Sequence, residues 1–397
     1  MRISVNADNR EYSVQIGPGM IKEEGLFTGF RRAAVVTDET VAKLHLDTIM
    51  ATLERAKVRA GSIILPPGEE IKSHDRLFDI YSGLMDNLIG RSDAVIAFGG
   101  GTVGDAAGFA AATYRRGVPL VHCPTTLLAQ ADSSIGGKVA IDHPRGKNLI
   151  GTFYQPVLVV TDTALLSTLP REHLASGMAE VIKCGAISSG DLNSGEDDLT
   201  RTVYRTAMIK AGYIQADPKD TGIRRELNFG HTIGHALERA SGFELLHGCG
   251  VSIGMVAMAK IGESMGLTEP GTAEQLISAL SAAGLPTEME NIDKDAFRAA
   301  MLLDKKGDGE TVNAVFLKKI GQAAVIAMPI GVFRAAPWLR DSHTLKERRT
   351  QIHDMRRPGP RQKRHTGSAG GAAGRPDRYP RLHTRPRGRS RIPGRHP

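Results

Sequence analysis

Cysteine is scarce in this chain of 397 residues, which contains only Cys123, Cys184 and Cys249. These cysteines are odd in number, widely spaced and without a CxxC pair, so a disulfide framework is not expected. Long apolar runs and a charged-then-apolar leader are also missing, so we expect neither a membrane span nor a secretory signal. The sequence therefore predicts reduced thiols and a cytoplasmic protein that makes no membrane contact.

Acidic residues are rare at the end of the chain. From Arg340 onwards there are 17 Lys and Arg but only 4 Asp and Glu, so the overall charge of +8 leaves −5 on the first 339 residues. This segment is rich in Arg, Gly and Pro and cannot bury enough surface to offset its chain entropy. We predict a disordered tail over residues 339–397.

Three interpretations of the tail remain open: a polyanion-binding arm, a solvated extension, or the product of a shifted reading frame. An RNA-binding protein would instead place charge and aromatic side chains on a folded face, whereas here only Tyr379 lies among the tail's charges. Nucleic acid is therefore not an expected partner, except through the tail.

The ordered part of the chain changes character near Pro170. Before it, the β-branched runs RISVNA, YSVQIG, RAAVVTD and GSIILPPG alternate with helical patterns, which is typical of parallel α/β units. After it, helical patterns dominate until two possible strands, VNAVFLKKIG and AAVIAMPIG. Because the length also favours two domains, we predict an α/β, Rossmann-like domain of the dinucleotide-binding type (1–170) and a mostly α-helical domain (171–338), with a cleft between them.

A glycine-rich turn, GGGTVGD, follows the predicted strand AVIAF and precedes a helix of small residues. Such a turn lets backbone amides approach a diphosphate at a helix N-terminus. Its spacing is not that of the usual GxGxxG fingerprint, but the strand-turn-helix context still favours nucleotide binding over a bare tight turn. A second turn, PPGEEIK, offers a carboxylate that could hold ribose hydroxyls, although alone it is more typical of an exposed charged turn.

The stretch from Asp132 to Asn148 concentrates lysines, glycines and amide donors and shows little helix or strand pattern. We predict a loop here that binds an anionic substrate carrying phosphate or carboxylate. A solvated basic loop is the alternative.

Three histidines lie in NFGHTIGHALERASGFELLHG. His231 and His235 are four apart on a predicted helix and therefore share one face, and His247 follows a Ser-Gly break. A catalytic zinc needs about three protein ligands and one open position. The pattern alone is more typical of a structural pair, and the metalloprotease HExxH order is missing, so a metal site would need a carboxylate from elsewhere in the chain.

The candidate carboxylate is Glu180, which lies three residues before Lys183 on an otherwise apolar helix. A Glu and a Lys at this spacing on such a helix form either a structural ion pair or a functional pair, and the sequence alone does not separate these two interpretations.

Taken in order, GGGTVGD, PTTLLAQADSSIGGK, GKNLIG, AEVIK, NFGHTIGHALE, LLHG and DKK resemble the motifs of the 3-dehydroquinate synthase family of sugar-phosphate cyclases. The resemblance covers about residues 1–335 and leaves the tail without a counterpart. It implies zinc, with cobalt as an alternative, on Glu180, His231 and His247, while His235 faces the substrate. It further implies a homodimer, because Arg116 matches an arginine that reaches the neighbouring subunit's substrate phosphate.

The resemblance also assigns residues to the substrate and to NAD. Positions matching substrate contacts are Asp132, Lys138, Asn148, Lys183, Lys210, Arg224, Asn228 and one of Lys305 and Lys306. Positions matching NAD contacts are Asp38, Glu69, Lys72, Gly100, Gly101, Asp105, Thr125, Thr126, Lys138, Lys147 and Thr168.

The implied reaction uses NAD without consuming it. The C5 hydroxyl of 3-deoxy-D-arabino-heptulosonate 7-phosphate is oxidised, phosphate is eliminated, C5 is reduced again, and ring opening and an aldol closure give 3-dehydroquinate. The enzyme would thus be a phosphate-eliminating lyase of aromatic amino-acid biosynthesis. A sibling cyclase acting on another sugar phosphate and a metal-dependent polyol dehydrogenase are the alternatives within the fold.

Four positions depart from the family pattern. Cys249 and Asp220 stand where Glu is usual, Val139 where Thr is common, and Tyr213 where a smaller residue is common. A carboxylate that orients a ligating histidine matters for metal affinity. Cys249, two residues after His247, is therefore expected to affect the metal site or the fine positioning of the substrate.

Overall fold

The computed structural model describes residues 1–192, 198–289, 293–303 and 311–335. Its strands are β1 (Arg2–Ala7), β2 (Arg10–Gly17), β3 (Arg32–Asp38), β4 (Arg59–Leu65), β5 (Ala94–Gly99), β6 (Leu120–Pro124), β7 (Lys138–His143), β8 (Gly146–Phe153), β9 (Leu158–Asp162), β10 (Thr311–Lys319) and β11 (Gln322–Pro329). Its α-helices are α1 (Glu39–Val41), α2 (Asp47–Arg55), α3 (His74–Asp86), α4 (Gly101–Thr113), α5 (Arg171–Cys184), α6 (Leu199–Ala216), α7 (His231–Ala240), α8 (His247–Met265), α9 (Thr272–Ala282) and α10 (Lys294–Leu303). Across these ranges, no helix has the length and apolar character needed to cross a membrane.

Seven strands form one sheet in the order β1-β2-β9-β6-β5-β3-β4, parallel except for the β1–β2 hairpin. The sequence of β5, AVIAFG, is apolar along its whole length, and β5 is buried at every position because helices cover both faces of the sheet. From β3 the chain runs outward to β4 and then returns to β5 on the other side. The carboxyl ends of β3 and β5 therefore flank the point where ligands bind in doubly wound sheets. The predicted Rossmann-like fold is confirmed.

Helices dominate after Arg171, as predicted, and the late strands β10 and β11 pair as an antiparallel hairpin. The largest core joins apolar side chains of these helices to Val5 and Val14 of the β1–β2 hairpin. The described residues belong to one compact unit, Met1–Thr344. The division into domains 1–170 and 171–338 stays a prediction, and the predicted tail lies outside the described residues.

The prediction of an irregular loop between Asp132 and Asn148 is wrong. Most of this stretch belongs to the β7–β8 hairpin, in which Lys138 pairs with Phe153 and Ile141 with Ile150. The strands escaped notice because β8 is largely exposed, so its lysine, asparagine and glycines resemble loop composition. Only β7 contains a run of buried apolar residues, namely Val139, Ala140 and Ile141.

His122 lies in β6 with only 4% of its surface exposed, and burial lowers its pKa from 6.5 to about 4. The folded protein therefore keeps this imidazole neutral where the unfolded chain takes up a proton. The buried, neutral His122 therefore lowers the stability of the fold only below pH 6.5, and the loss grows as the pH falls towards 4. From pH 7 to pH 5 this loss should reach about 2 kcal/mol.

We expect the difference in unfolding free energy between pH 7 and pH 5 to be about 2 kcal/mol smaller in His122→Gln than in wild type. Urea unfolding at both pH values measures this difference. The control is His74→Gln, since the His74 side chain is 72% exposed. Equal pH dependence in wild type and His122→Gln would contradict this account.

Candidate active site

Three helices meet at the predicted metal ligands. Glu180 lies in α5, and His231 and His247 are the first residues of α7 and α8. The helices approach closely because small residues line their contacts: a Cβ on Gly248 would lie 2.0 Å from the Ser176 carbonyl oxygen. The close contact brings side chains that are up to 67 positions apart in the sequence to one point.

The ligand atoms have separations that suit a shared cation. Oε1 of Glu180 lies 3.6 Å from Nε2 of His231 and 3.4 Å from Nε2 of His247. Tetrahedral zinc with ligand bonds of about 2.0–2.1 Å places its ligand atoms about 3.4 Å apart. Oε1 is buried, and it accepts no hydrogen bond from any described residue. The donor set, one carboxylate and two imidazoles, therefore fits zinc or a similar divalent metal.

Both imidazoles present Nε2 to this point because their other nitrogens are engaged. Nδ1 of His231 lies 3.2 Å from the Phe229 carbonyl oxygen, and Nδ1 of His247 lies 2.9 Å from Oε1 of Glu238. His235 stacks edge-on against His231 at 5.2 Å and is not part of the Glu180 set. A second group of donors, His235, Glu238 and His247, shares one histidine with the first.

Buried charges surround the ligands. Lys183 forms an ion pair with Glu180, and both side chains are almost completely buried. Burial alone would raise the pKa of Glu180, but the Lys183 ammonium and two neighbouring imidazoles hold it well below its usual range. Burial and Lys183 lower the pKa of His231 well below its usual value. Burial would lower the pKa of His247, but the carboxylates of Glu180 and Glu238 raise it to about 10. Glu180 and His231 are thus in the protonation states of metal ligands, whereas His247 must release a proton when a metal binds.

A second buried ion pair, formed by Lys210 and Asp132, lies close to the first. Lys210 Nζ lies 2.7 Å from Oδ1 of Asp132 and donates to its backbone carbonyl at 2.7 Å. Burial lowers the pKa of Lys210, although Asp132 opposes the shift. Burial would raise the pKa of Asp132, but the ammonium groups of Lys210 and Lys183 lower it. Three predicted substrate residues therefore interact in one network.

Arg224 is 2% exposed and fixed by two carbonyl groups. Its Nη1 donates to the Pro218 carbonyl at 2.8 Å and its Nη2 to the Gly136 carbonyl at 3.0 Å. Lys138, two residues after Gly136, forms an ion pair with Asp220. The loop before Arg224 and the turn before β7 thus lie together and present two cations and a carboxylate.

The predicted nucleotide residues lie mostly at the carboxyl edge of the sheet. Asp38 ends β3 and caps α1, Gly100 is the N-cap of α4 and Gly101 its first residue, and Thr125 and Thr126 follow β6. Thr168 contacts His45 through its hydroxyl at 2.9 Å.

The remaining predicted nucleotide residues form a charged cluster around the buried Lys72. Its Nζ lies 2.9 Å from Asp105 and 3.5 Å from Glu69, and it contacts Asn148. Lys147 joins the cluster through Glu69 at 3.5 Å. The cluster therefore links the β7–β8 hairpin to the sheet edge.

Three predictions stand apart from these groups. Arg116 is exposed in the turn after α4 with a φ of 67°, and no hydrogen bond or ion pair in the described ranges joins it to the residues above. Asn228 is exposed at the end of the 3₁₀ turn Ile223–Asn228, directly before α7. Lys305 and Lys306 lie outside the described residues.

Two residues with a place in the site were missed from the sequence. Glu238 contacts a predicted ligand, and its spacing three residues after His235 was an available signal. Asp217 accepts hydrogen bonds from the backbone amides of Thr221, Gly222 and Arg224 at 3.0, 2.6 and 3.1 Å. It thereby shapes the loop that carries Asp220, and nothing in the local sequence pattern distinguished it from a surface aspartate.

Comparison with known families gives two matches that follow one another along the chain. The model of the 3-dehydroquinate synthase N-terminal family matches residues 62–176, and that of the 3-dehydroquinate synthase C-terminal family matches residues 177–307.

Relatives of known function agree with these matches. A 3-dehydroquinate synthase of Neisseria gonorrhoeae is 42% identical over 341 residues, covering 81% of this chain and 94% of the relative. One from Citrifermentans bemidjiense is 42% identical over 325 residues, covering 77% and 89%.

Solved structures share the fold. A 2-deoxy-scyllo-inosose synthase complexed with carbaglucose-6-phosphate, NAD+ and Co2+ has a TM-score of 0.77 at 24% identity, covering 84% of this chain and 98% of that one. ValA, a 2-epi-5-epi-valiolone synthase from Streptomyces hygroscopicus with NAD+ and Zn2+ bound, has a TM-score of 0.74 at 25% identity, covering 82% and 95%. Together with the family matches and the 42% identical relatives, these findings show that the chain belongs to the 3-dehydroquinate synthase family.

Proposed function

We propose that this protein is a 3-dehydroquinate synthase, which converts 3-deoxy-D-arabino-heptulosonate 7-phosphate to 3-dehydroquinate and phosphate. The observation that carries the proposal is that Glu180, His231 and His247 form a set of metal ligands. Buried lysine and arginine side chains lie beside this set. A sugar acid phosphate carries a hydroxyl to be oxidised, a carboxylate and a phosphate. The metal ligands suit the hydroxyl, and the cationic side chains suit the two anionic groups.

NAD and a divalent metal are the cofactors, with zinc favoured and cobalt as the alternative. The family membership and the neighbours solved with NAD+ and either Zn2+ or Co2+ support them. When bound, the metal acidifies the substrate hydroxyl and NAD accepts and later returns a hydride. We assign the metal to Glu180, His231 and His247, and the nucleotide to the glycine turn and the charged cluster around Lys72.

The chain's own residues would position the substrate and hold its charge. Arg224 and Lys138 lie together and suit the carboxylate and phosphate, because each can donate to an anionic oxygen without rearranging its backbone. Lys183 and Lys210 keep positive charge beside the metal ligands, where negative charge develops as the hydroxyl loses its proton. His235 is exposed beside His231, is not one of the three metal ligands, and would donate to a substrate oxygen.

Assembly and location belong to the same proposal. The exposed Arg116 suits a residue that completes the site of a second copy, so we infer a homodimer. The three free thiols and the biosynthetic activity of the relatives support a cytoplasmic location.

A substrate panel tests the function against its alternatives. Purified full-length protein with NAD and zinc would be offered the heptulosonate phosphate, glucose 6-phosphate, sedoheptulose 7-phosphate and glycerol in parallel. We expect phosphate release and 3-dehydroquinate only with the first. Turnover of a sugar phosphate lacking the carboxylate would assign a sibling cyclase, and net oxidation of glycerol would assign a polyol dehydrogenase. Either result would reject the proposal.

A further inference from the structure

His247 is held between two carboxylates on opposite sides of its ring. Nε2 lies 3.4 Å from Oε1 of Glu180, and Nδ1 lies 2.9 Å from Oε1 of Glu238. An ionised carboxylate only accepts hydrogen bonds, so Nδ1 must carry the proton that Glu238 receives. Nε2, which faces Glu180, is then the nitrogen that would give up its proton and hold a metal.

Glu238 is itself fixed by the packing of α7 against α8. Its side chain is 8% exposed, and a Cβ on Gly250 would lie 3.2 Å from its Cγ and 3.4 Å from its Oε1. The backbones of Gly234 and Gly250 also approach closely, since a Cβ on Gly234 would lie 2.9 Å from the Gly250 carbonyl carbon. The absence of side chains at this crossing leaves the carboxylate room to reach the histidine.

Position 249 cannot supply the same contact in this chain. Cys249 is half-buried in α8, where it packs against the apolar core. A thiol is only a weak hydrogen-bond donor and acceptor, so it cannot hold an imidazole as a carboxylate does. A carboxylate that orients His247 must therefore come from another helix.

We propose that Glu238 is the positioning residue of the metal centre. It fixes the tautomer and ring orientation of His247 and so sets the metal affinity, which makes a carboxylate at position 249 unnecessary. This inference rests on the ligand set of the proposed function. Hydrogen-bonded partners of ligating histidines commonly contribute 10- to 100-fold in affinity.

The test measures metal affinity on full-length, metal-free protein by competition between Zn2+ and a chromophoric chelator, without NAD or substrate. We expect Glu238→Ala to bind Zn2+ about 10- to 100-fold more weakly. Glu238→Gln should recover most of the affinity, because its amide oxygen can still accept from Nδ1. Cys249→Ser is the matched control and should stay within about threefold of wild type. Thermal unfolding of each metal-free variant identifies any that fail to fold.

Two outcomes would overturn the inference. One is wild-type affinity in a folded Glu238→Ala variant. The other is two equivalents of Zn2+ in wild type and one in Glu238→Ala, which would make Glu238 a ligand of a second cation with His235. Because no turnover is measured, failure of the proposed activity would appear only in the substrate panel and would leave these affinities unchanged.

Discussion

Replacing Glu180 with Gln is expected to remove stoichiometric metal and to lower kcat/KM about a thousandfold or more. Glu180 supplies the one anionic donor of the ligand set, and its Oε1 faces both imidazoles. The same change leaves Lys183, 1% exposed, without its partner. Breaking a buried ion pair in this way destabilises proteins by about 3–5 kcal/mol. Metal content after dialysis, urea unfolding and turnover measure the three effects separately.

A double variant separates loss of metal from loss of fold. Glu180→Gln combined with Lys183→Met removes both buried charges, which is far less costly than removing one. We expect the double variant to regain much of the lost stability but no metal. Tight binding of one zinc by folded Glu180→Gln would show that the carboxylate is not a ligand.

Replacing Gly136 with Ala is expected to displace Arg224 and to raise KM for the substrate about a hundredfold. Gly136 has a φ of +102°, a conformation that residues with a Cβ rarely adopt. A Cβ there would also lie 2.5 Å from Nη2 of Arg224 and 2.6 Å from Cδ1 of Ile214. The guanidinium must then leave the Gly136 carbonyl that now fixes it. Backbone strain adds about 1–3 kcal/mol of destabilisation.

Gly271→Ala is the matched control for this strain. Gly271 has a φ of +87°, but no other atom lies within 4 Å of a Cβ built there. It should lose comparable stability and keep wild-type KM and kcat. If Gly136→Ala loses stability but retains its KM, Arg224 does not hold the substrate in the way proposed.

The sequence predicted most of the fold because local pattern and final structure agree. The runs RISVNA and RAAVVTD correspond to β1 and β3, and the change to helices near Pro170 is confirmed. The β7–β8 hairpin was missed because one of its strands faces solvent. Alternation between apolar and polar residues is visible only where one face is buried.

The site was harder to predict than the fold, since its contacts join distant residues. Spacing on one helix suggested only a pair of His231 and His235, and the set of Glu180, His231 and His247, which the structure brings together, was predicted only from the family resemblance. The Glu238–His247 contact depends on how closely α7 crosses α8, and the Arg224–Gly136 contact depends on a turn 88 residues away. Helix crossings and turns of this kind are set by packing, which no local pattern records.

The proposed reaction recycles NAD at a metal site that eliminates phosphate. Its most direct test is the ratio of phosphate released to NADH formed, with zinc-loaded protein, NAD equal to the active sites and excess heptulosonate phosphate. We expect many phosphates released per NAD and no accumulation of NADH. One NADH per substrate consumed, or phosphate release that continues without any NAD bound to the protein, would contradict it.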